Sequence, residues 1–118
     1  MMQLVSGDSQ TFRVMELALE GLARRSEVTA DNVANMNTPG FSARRVSFEQ
    51  HVERAAAEGK QSAAEVTVAG GRAHPQENTV DIDHEFTTMW QTSLLRSSLT
   101  AAYSGKLDAL RSAVAGGA

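Results

Sequence analysis

Cysteine is absent from this 118-residue chain, which rules out disulfides, thiolate metal sites and thiol nucleophiles. Aromatic residues are scarce at 5%: four Phe, one Trp and one Tyr. With 42% apolar content this suffices for one domain, but it is a thin supply of large side chains for an enclosed catalytic core. Lysine is limited to Lys60 and Lys106, arginine is scattered and the formal net charge is −3. No basic stripe is available for phosphate contacts, so a nucleic-acid partner is not expected. No apolar run approaches the ~18 residues of a membrane helix. The segment from Met1 to Asp8 has neither the basic stretch nor the apolar core of a secretory signal, so export is expected to follow another route.

Catalytic signatures are missing too. There is no Gly-Lys-Ser/Thr phosphate loop, no paired-histidine helix motif and no Gly-x-Ser-x-Gly elbow. His51, His74 and His84 with Asp81, Asp83 and Glu85 form the one cluster that needs testing. The three acids occupy the first ligand spacings of a calcium loop, but Phe86 stands where glycine is required and Thr92 where the closing glutamate belongs. Helix capping is the better role for them. No catalytic residue, metal or cofactor is expected, and the chain is not read as an enzyme.

What the chain does contain is helical periodicity at both ends. Phe12, Met15, Leu19, Leu22, Val33 and Met36 fall on alternating steps of three and four, with Ser26 and Thr29 in the two polar slots of the same register. This predicts a helix with a coiled-coil-like seam, starting at Asp8 or Ser9 as N-cap. A second stripe, Val14, Leu17, Gly21 and Val28, lies roughly opposite. In a two-helix hairpin it would face water, so it is read as surface for other molecules to cover. The helix must stop by Asn37, because Pro39 disfavours helical geometry at Thr38 and fixes its own φ. Gly40 then supplies the positive φ of a type II turn leading to Phe41. Asn32 and Asn35 are candidates for bonding free backbone groups, within the chain or across to a neighbour.

Residues 42–48 read as extended or irregular, and 48–58 as a short helix closed by Gly59. Residues 65–68 alternate as a short strand, Gly70-Gly71 is a turn, and the stretch through residue 77 is loop. Asn78-Thr79-Val80-Asp81-Ile82-Asp83 precedes a second long helix from His84 to Val114, capped by Asp81 or Asp83, with Glu85 complementing the positive helix end. Its apolar surface changes face: Phe86, Met89, Trp90 and Leu94 cluster first, and Tyr103, Leu107, Leu110 and Val114 about a quarter-turn away. One partner helix cannot cover both. Gly105 either permits close approach of another helix or marks a weak point. The expected fold is mainly α: two long terminal helices in an antiparallel coiled-coil-like pair around a small irregular module with a short helix and a short β segment. It divides into an N-terminal axial helix (9–38), a turn and connecting module (39–77) and a C-terminal axial helix (78–115), one domain overall.

The run Asn32-Val33-Ala34-Asn35-Met36-Asn37-Thr38-Pro39-Gly40-Phe41 closely resembles the N-terminal signature of the flagellar rod and hook family of axial proteins. Independently, Asn78-Thr79-Val80-Asp81-Ile82-Asp83 is similar to the segment opening their C-terminal helix, and residues 107–113 to their closing stretch. Phe41 where Tyr is commoner, and Gln76-Glu77 in place of Asp-Gly, are departures. The resemblance implies a non-catalytic subunit of the flagellar basal-body rod that polymerises through its terminal helices. The implied partners are copies of itself, other rod proteins, the basal-body adaptor and membrane-ring protein, and transiently the type III export apparatus, which exports such proteins without a cleaved signal. The competing class is a cytosolic helical-hairpin adaptor for a partner helix.

Overall fold

A computed structural model describes residues 2–59, 67–70 and 77–116. Helix α1 spans Met2–Ala34 and α3 spans Ile82–Gly116; between them lie β1 (Arg44–Ser47), α2 (Glu49–Glu58) and β2 (Thr67–Gly70). The two long helices run antiparallel, since Phe12 near one end of α1 meets Tyr103 of α3 and Asn32 near the other end meets Glu85. The molecule is elongated, 66 × 25 × 14 Å.

Helix α1 starts earlier than expected. Neither Asp8 nor Ser9 caps it, because extending an existing helix adds a hydrogen bond per residue whereas a fresh start must repeat the cost of nucleation, and Gly7 costs only ~1 kcal/mol inside a helix. Helix α3 likewise opens two residues before His84 and continues two past Val114. The short helix ends as expected, with Gly59 at φ 65° donating its N–H to the Ala55 carbonyl at 3.1 Å. Strand β2 includes Gly70, which pairs with Arg44 of β1 and is therefore strand, not turn. Residues 65, 66 and 71–76 lie outside the described residues.

The core corrects the reading of α1's second stripe. Leu22 and Val28 are buried with Val46 and Phe48, and Val52 and Leu99 pack against them. Gly21 is buried under the Phe48 ring, so close that a Cβ on Gly21 would fall 2.2 Å from Phe48 Cγ. The stripe is thus covered from within the chain around Gly21 and Val28, and Val14 and Leu17 are half-buried. Period-two alternation explains this: Val46 and Phe48 stand two apart and turn to the same side of the extended segment.

Of the first seam, Leu22 is buried and Phe12, Met15, Leu19 and Val33 are half-buried. Met36 drops out, 45% exposed, because the helix has ended at Ala34. On α3, Leu99, Tyr103, Leu107 and Leu110 are half-buried, whereas Val114 is exposed. Tyr103 stacks edge-on to Phe12 with ring centroids 5.1 Å apart and donates its hydroxyl to Glu16 Oε1 at 3.0 Å.

Candidate assembly site: the turn junction and the outer face of α3

After Ala34 the chain tightens through two short bonds, Asn35 N–H to the Asn32 carbonyl and Met36 N–H to the Val33 carbonyl, both 3.2 Å. Asn35 satisfies the frayed end with its own side chain. Its Nδ2 donates to the Asp31 carbonyl at 2.8 Å, and its Oδ1 accepts from the Thr38 hydroxyl at 3.1 Å. Thr38-Pro39-Gly40-Phe41 then closes a turn in which Phe41 N–H reaches the Thr38 carbonyl at 3.2 Å and Gly40 sits at φ 76°. Proline second and a left-handed glycine third are the arrangement of a type II turn. Asn37 is exposed.

The two segments singled out separately in the sequence meet here. Asn78 Nδ2 donates to the carbonyls of Asn35 (2.7 Å) and Thr38 (2.8 Å), while its Oδ1 accepts from Val80 N–H at 2.8 Å. Gly40 N–H donates to the Glu77 carbonyl and Thr79 N–H to the Phe41 carbonyl, at 3.0 and 3.1 Å. The Thr79 hydroxyl takes the Ala43 N–H at 2.8 Å. The C-terminal segment therefore ties down the turn that follows α1, adding a second donor to the carbonyls of Asn35 and Thr38. Asp81 caps α3, its Oδ1 accepting from the N–H groups of Asp83 (3.1 Å) and His84 (3.3 Å). Asp83 is in the first turn and is not the cap.

A buried polar network lies beneath the junction, and sequence reasoning missed most of it. Asn32 is fully buried and pairs with the Arg44 backbone in both directions, Oδ1 from N–H at 3.0 Å and Nδ2 to the carbonyl at 2.9 Å. The same Nδ2 reaches Glu85 Oε2 at 3.2 Å. Glu85, expected only to complement the helix end, is itself fully buried, and Arg45 Nη1 meets its other oxygen at 2.5 Å. Arg44 pairs with Asp31. No buried side-chain nitrogen or oxygen among the described residues lacks a partner, the condition under which a buried polar network adds order instead of strain. Asn32 and Asn35 thus bond within the chain. A second cluster holds α2: Arg25 lies 4.6 Å over the Phe48 ring and pairs with Glu49 at 2.5 Å.

Among the described residues nothing covers the outer face of α3. Phe86 is 56%, Trp90 75% and Leu94 61% exposed, with Met89 and Leu95 beside them. The early apolar cluster thus points away from α1 and the later one toward it. An open groove of about 660 Å³ runs beside it, lined by Ser26 of α1 and by Ser93, Ser97, Thr100 and Ala101 of α3. Among the described residues no group of three or more His, Asp or Glu side chains is arranged to hold a metal ion, and no helix is long and apolar enough to cross a membrane.

Residues 12–41, from the first seam residue to the last residue of the turn, match the family model described as flagella basal body rod protein. Flagellar basal body rod protein FlgB of Bacillus subtilis (strain 168) is 27% identical over 134 residues, spanning 98% of this chain and 99% of that protein. The chain is similar to flagellar basal-body rod proteins over nearly its whole length. FlgB of Escherichia coli (strain K12) is 27% identical over 89% of this chain and 93% of its own length, and a 46-residue stretch is 41% identical to FlgB of Aeromonas hydrophila, covering 39% of this chain and 35% of that protein. These relatives are all FlgB proteins, and the chain is a structural component of the basal-body rod.

Proposed function

We propose that this rod protein occupies the proximal rod, joins copies of itself and other rod subunits through its two terminal helices, and transmits torque without catalysing a reaction. The observation that carries this reading is the uncovered face of α3, where a well-formed helix leaves Phe86, Trp90 and Leu94 in water although 35 residues of helix are available to arrange a polar surface. The turn at Thr38 to Phe41, braced by Asn78, Val80 and Asp81, sets the angle at which each copy's chain leaves the helical layer. In this arrangement residues 9–38 and 78–115 act as axial helices and 39–77 as the connecting module. The seam residues Phe12, Met15, Leu19, Leu22 and Val33, with Leu107 and Leu110, hold the hairpin, and the outer α3 residues join subunits. The adaptor and ring protein at the rod's base and the export apparatus are the further partners, with the periplasmic rod as destination.

Because a hairpin this thin buries few large side chains, the terminal helices gain order on assembly; circular dichroism of dilute protein should show incomplete helicity. The functional test is complementation of a strain lacking the gene. The wild-type chain should restore rods and motility, and Trp90→Glu should not. A soluble cytosolic complex with a non-flagellar partner, and no chain in purified basal bodies, would overturn the reading.

A further inference from the structure

The exposed face of α3 has a bulky half and a small half. Phe86, Trp90 and Leu94 stand at steps of four, and eleven residues further along the same helix Ser97, Ala101 and Gly105 repeat those steps. Eleven residues is close to three turns, so both sets lie on one arc of the helix, separated by about 16 Å along its axis. Every one of the six is exposed. Among the described residues nothing approaches Gly105: a Cβ there would meet no atom within 4 Å, yet glycine is a poor helix former. Ser97 and Ala101 line the open groove beside α1.

We infer that α3 of one copy packs in parallel on α3 of the next, shifted by eleven residues, so that Phe86, Trp90 and Leu94 of one copy sit over Ser97, Ala101 and Gly105 of the other. This rests on the rod-subunit reading and specifies the contact. Rows of side chains four apart are the ridges and grooves by which helices interlock, and small residues in the groove let the backbones approach. The alternative, an antiparallel pair, would match the same rows, but it would set Asp83 of each copy against Asp108 of the other. Both are exposed on this arc, so the closed pair would carry two carboxylate contacts of like charge. The parallel shift places Ser97 opposite Asp108 and avoids them. The parallel contact is heterologous, since the first copy gives its bulky half and the second its small half. Three side chains of this size, already partly covered, bury roughly 400 Å² a side, below the roughly 800 Å² per partner of a stable pair, so the contact holds only within an assembly of many copies.

The native chain has no cysteine, so engineered thiols report without background. Basal bodies are purified from cells producing two variants together and oxidised gently. Leu94→Cys with Gly105→Cys, and Phe86→Cys with Ser97→Cys, should give cross-linked dimers, whereas Phe86→Cys with Gly105→Cys, and Leu94→Cys with Ser97→Cys, should not. The reverse pattern, or no cross-link between any pair while the wild-type chain is present in basal bodies, overturns the inference and leaves the rod reading standing. Absence of the wild-type chain from basal bodies refutes both. As a second readout, Ala101→Leu should leave melting of the free chain unchanged, since the site is open, and cut incorporation into rods roughly tenfold or more; undiminished incorporation counts against the parallel contact.

Discussion

Gly21→Ala should destabilise the chain, although glycine to alanine inside an exposed helix normally stabilises by ~1 kcal/mol. The reason is the Phe48 ring. An alanine Cβ would lie 2.2 Å from its Cγ and 2.4 and 2.7 Å from its two Cδ atoms, each well inside contact distance. The ring must therefore retreat by more than ~1 Å to restore ordinary carbon contact. It cannot move freely, because it is only 5% exposed, packs with Leu22, Val28 and Val46, and lies under Arg25, which is paired to Glu49. Overpacking of this kind costs ~1 to 3 kcal/mol, at the upper end here, and the gain in helix propensity offsets ~1. A net loss of about 2 kcal/mol corresponds to a fall in Tm of about 8 °C for a chain of this size. Thermal melts followed by far-UV circular dichroism read this directly. Phe48→Leu on its own leaves a cavity, so the informative quantity is the coupling in the double variant: with the smaller side chain, Gly21→Ala should cost little or stabilise. A higher Tm for Gly21→Ala in the wild-type background would refute the reasoning and return this stripe to the solvent.

Asn78→Ala removes two bonds to the end of α1 and one to Val80. Since water can replace part of them at this half-buried site, a loss of about 2 kcal/mol is expected by denaturant titration, and a loss under ~0.5 would show that the two ends are not joined through it. Gly40→Val forces a β-branched residue to φ 76° and should cost ~1 to 3 kcal/mol, with rod assembly falling further than stability because the exit direction changes. A well-folded Gly40→Val chain that builds normal rods would count against a fixed turn. Burial pushes the Glu49 carboxyl up, but hydrogen bonds from Arg25 and from backbone N–H groups outweigh it and hold the group below its usual value. A depressed carboxylate stabilises above its unfolded pKa of about 4.3 and loses that contribution as pH falls through the folded value, so wild type and Glu49→Gln should differ in Tm at neutral pH and converge in acid. A difference that is the same at every pH would sink this assignment.

What could be read from the chain was what short-range chemistry decides. Pro39 and Gly40 impose the turn through their own backbone preferences, Gly59 closes α2, and Asp81 or Asp83 marks the start of α3, each acting over a few residues. The seam was legible because period and burial coincide from Phe12 to Val33, and the change of face along α3 was legible on an ideal wheel. Long-range polar pairs were not. Glu85 meets Arg45, 40 residues away, and Asn32, 53 away, and nothing in the local pattern distinguishes a buried glutamate from one at a solvated helix start. The second stripe of α1 reads as surface for neighbours because a two-helix hairpin leaves it facing water, and its actual cover, Val46 and Phe48, sits in a segment that reads only as extended or irregular. Their spacing of two was the available sign that they share a face. Asn32 illustrates the limit: its side chain was recognised as a backbone binder, but its partner, Arg44, depends on how the turn folds the chain back.

The most direct test concerns Trp90, the one tryptophan in the chain and 75% exposed. Its solvent accessibility can be compared in the free protein and in purified rods by hydroxyl-radical footprinting, with oxidation quantified by mass spectrometry. Strong oxidation in the free chain and protection in the rod is the expected result. A Trp90 as open in the rod as in the free chain would contradict the assignment of this face to subunit contact.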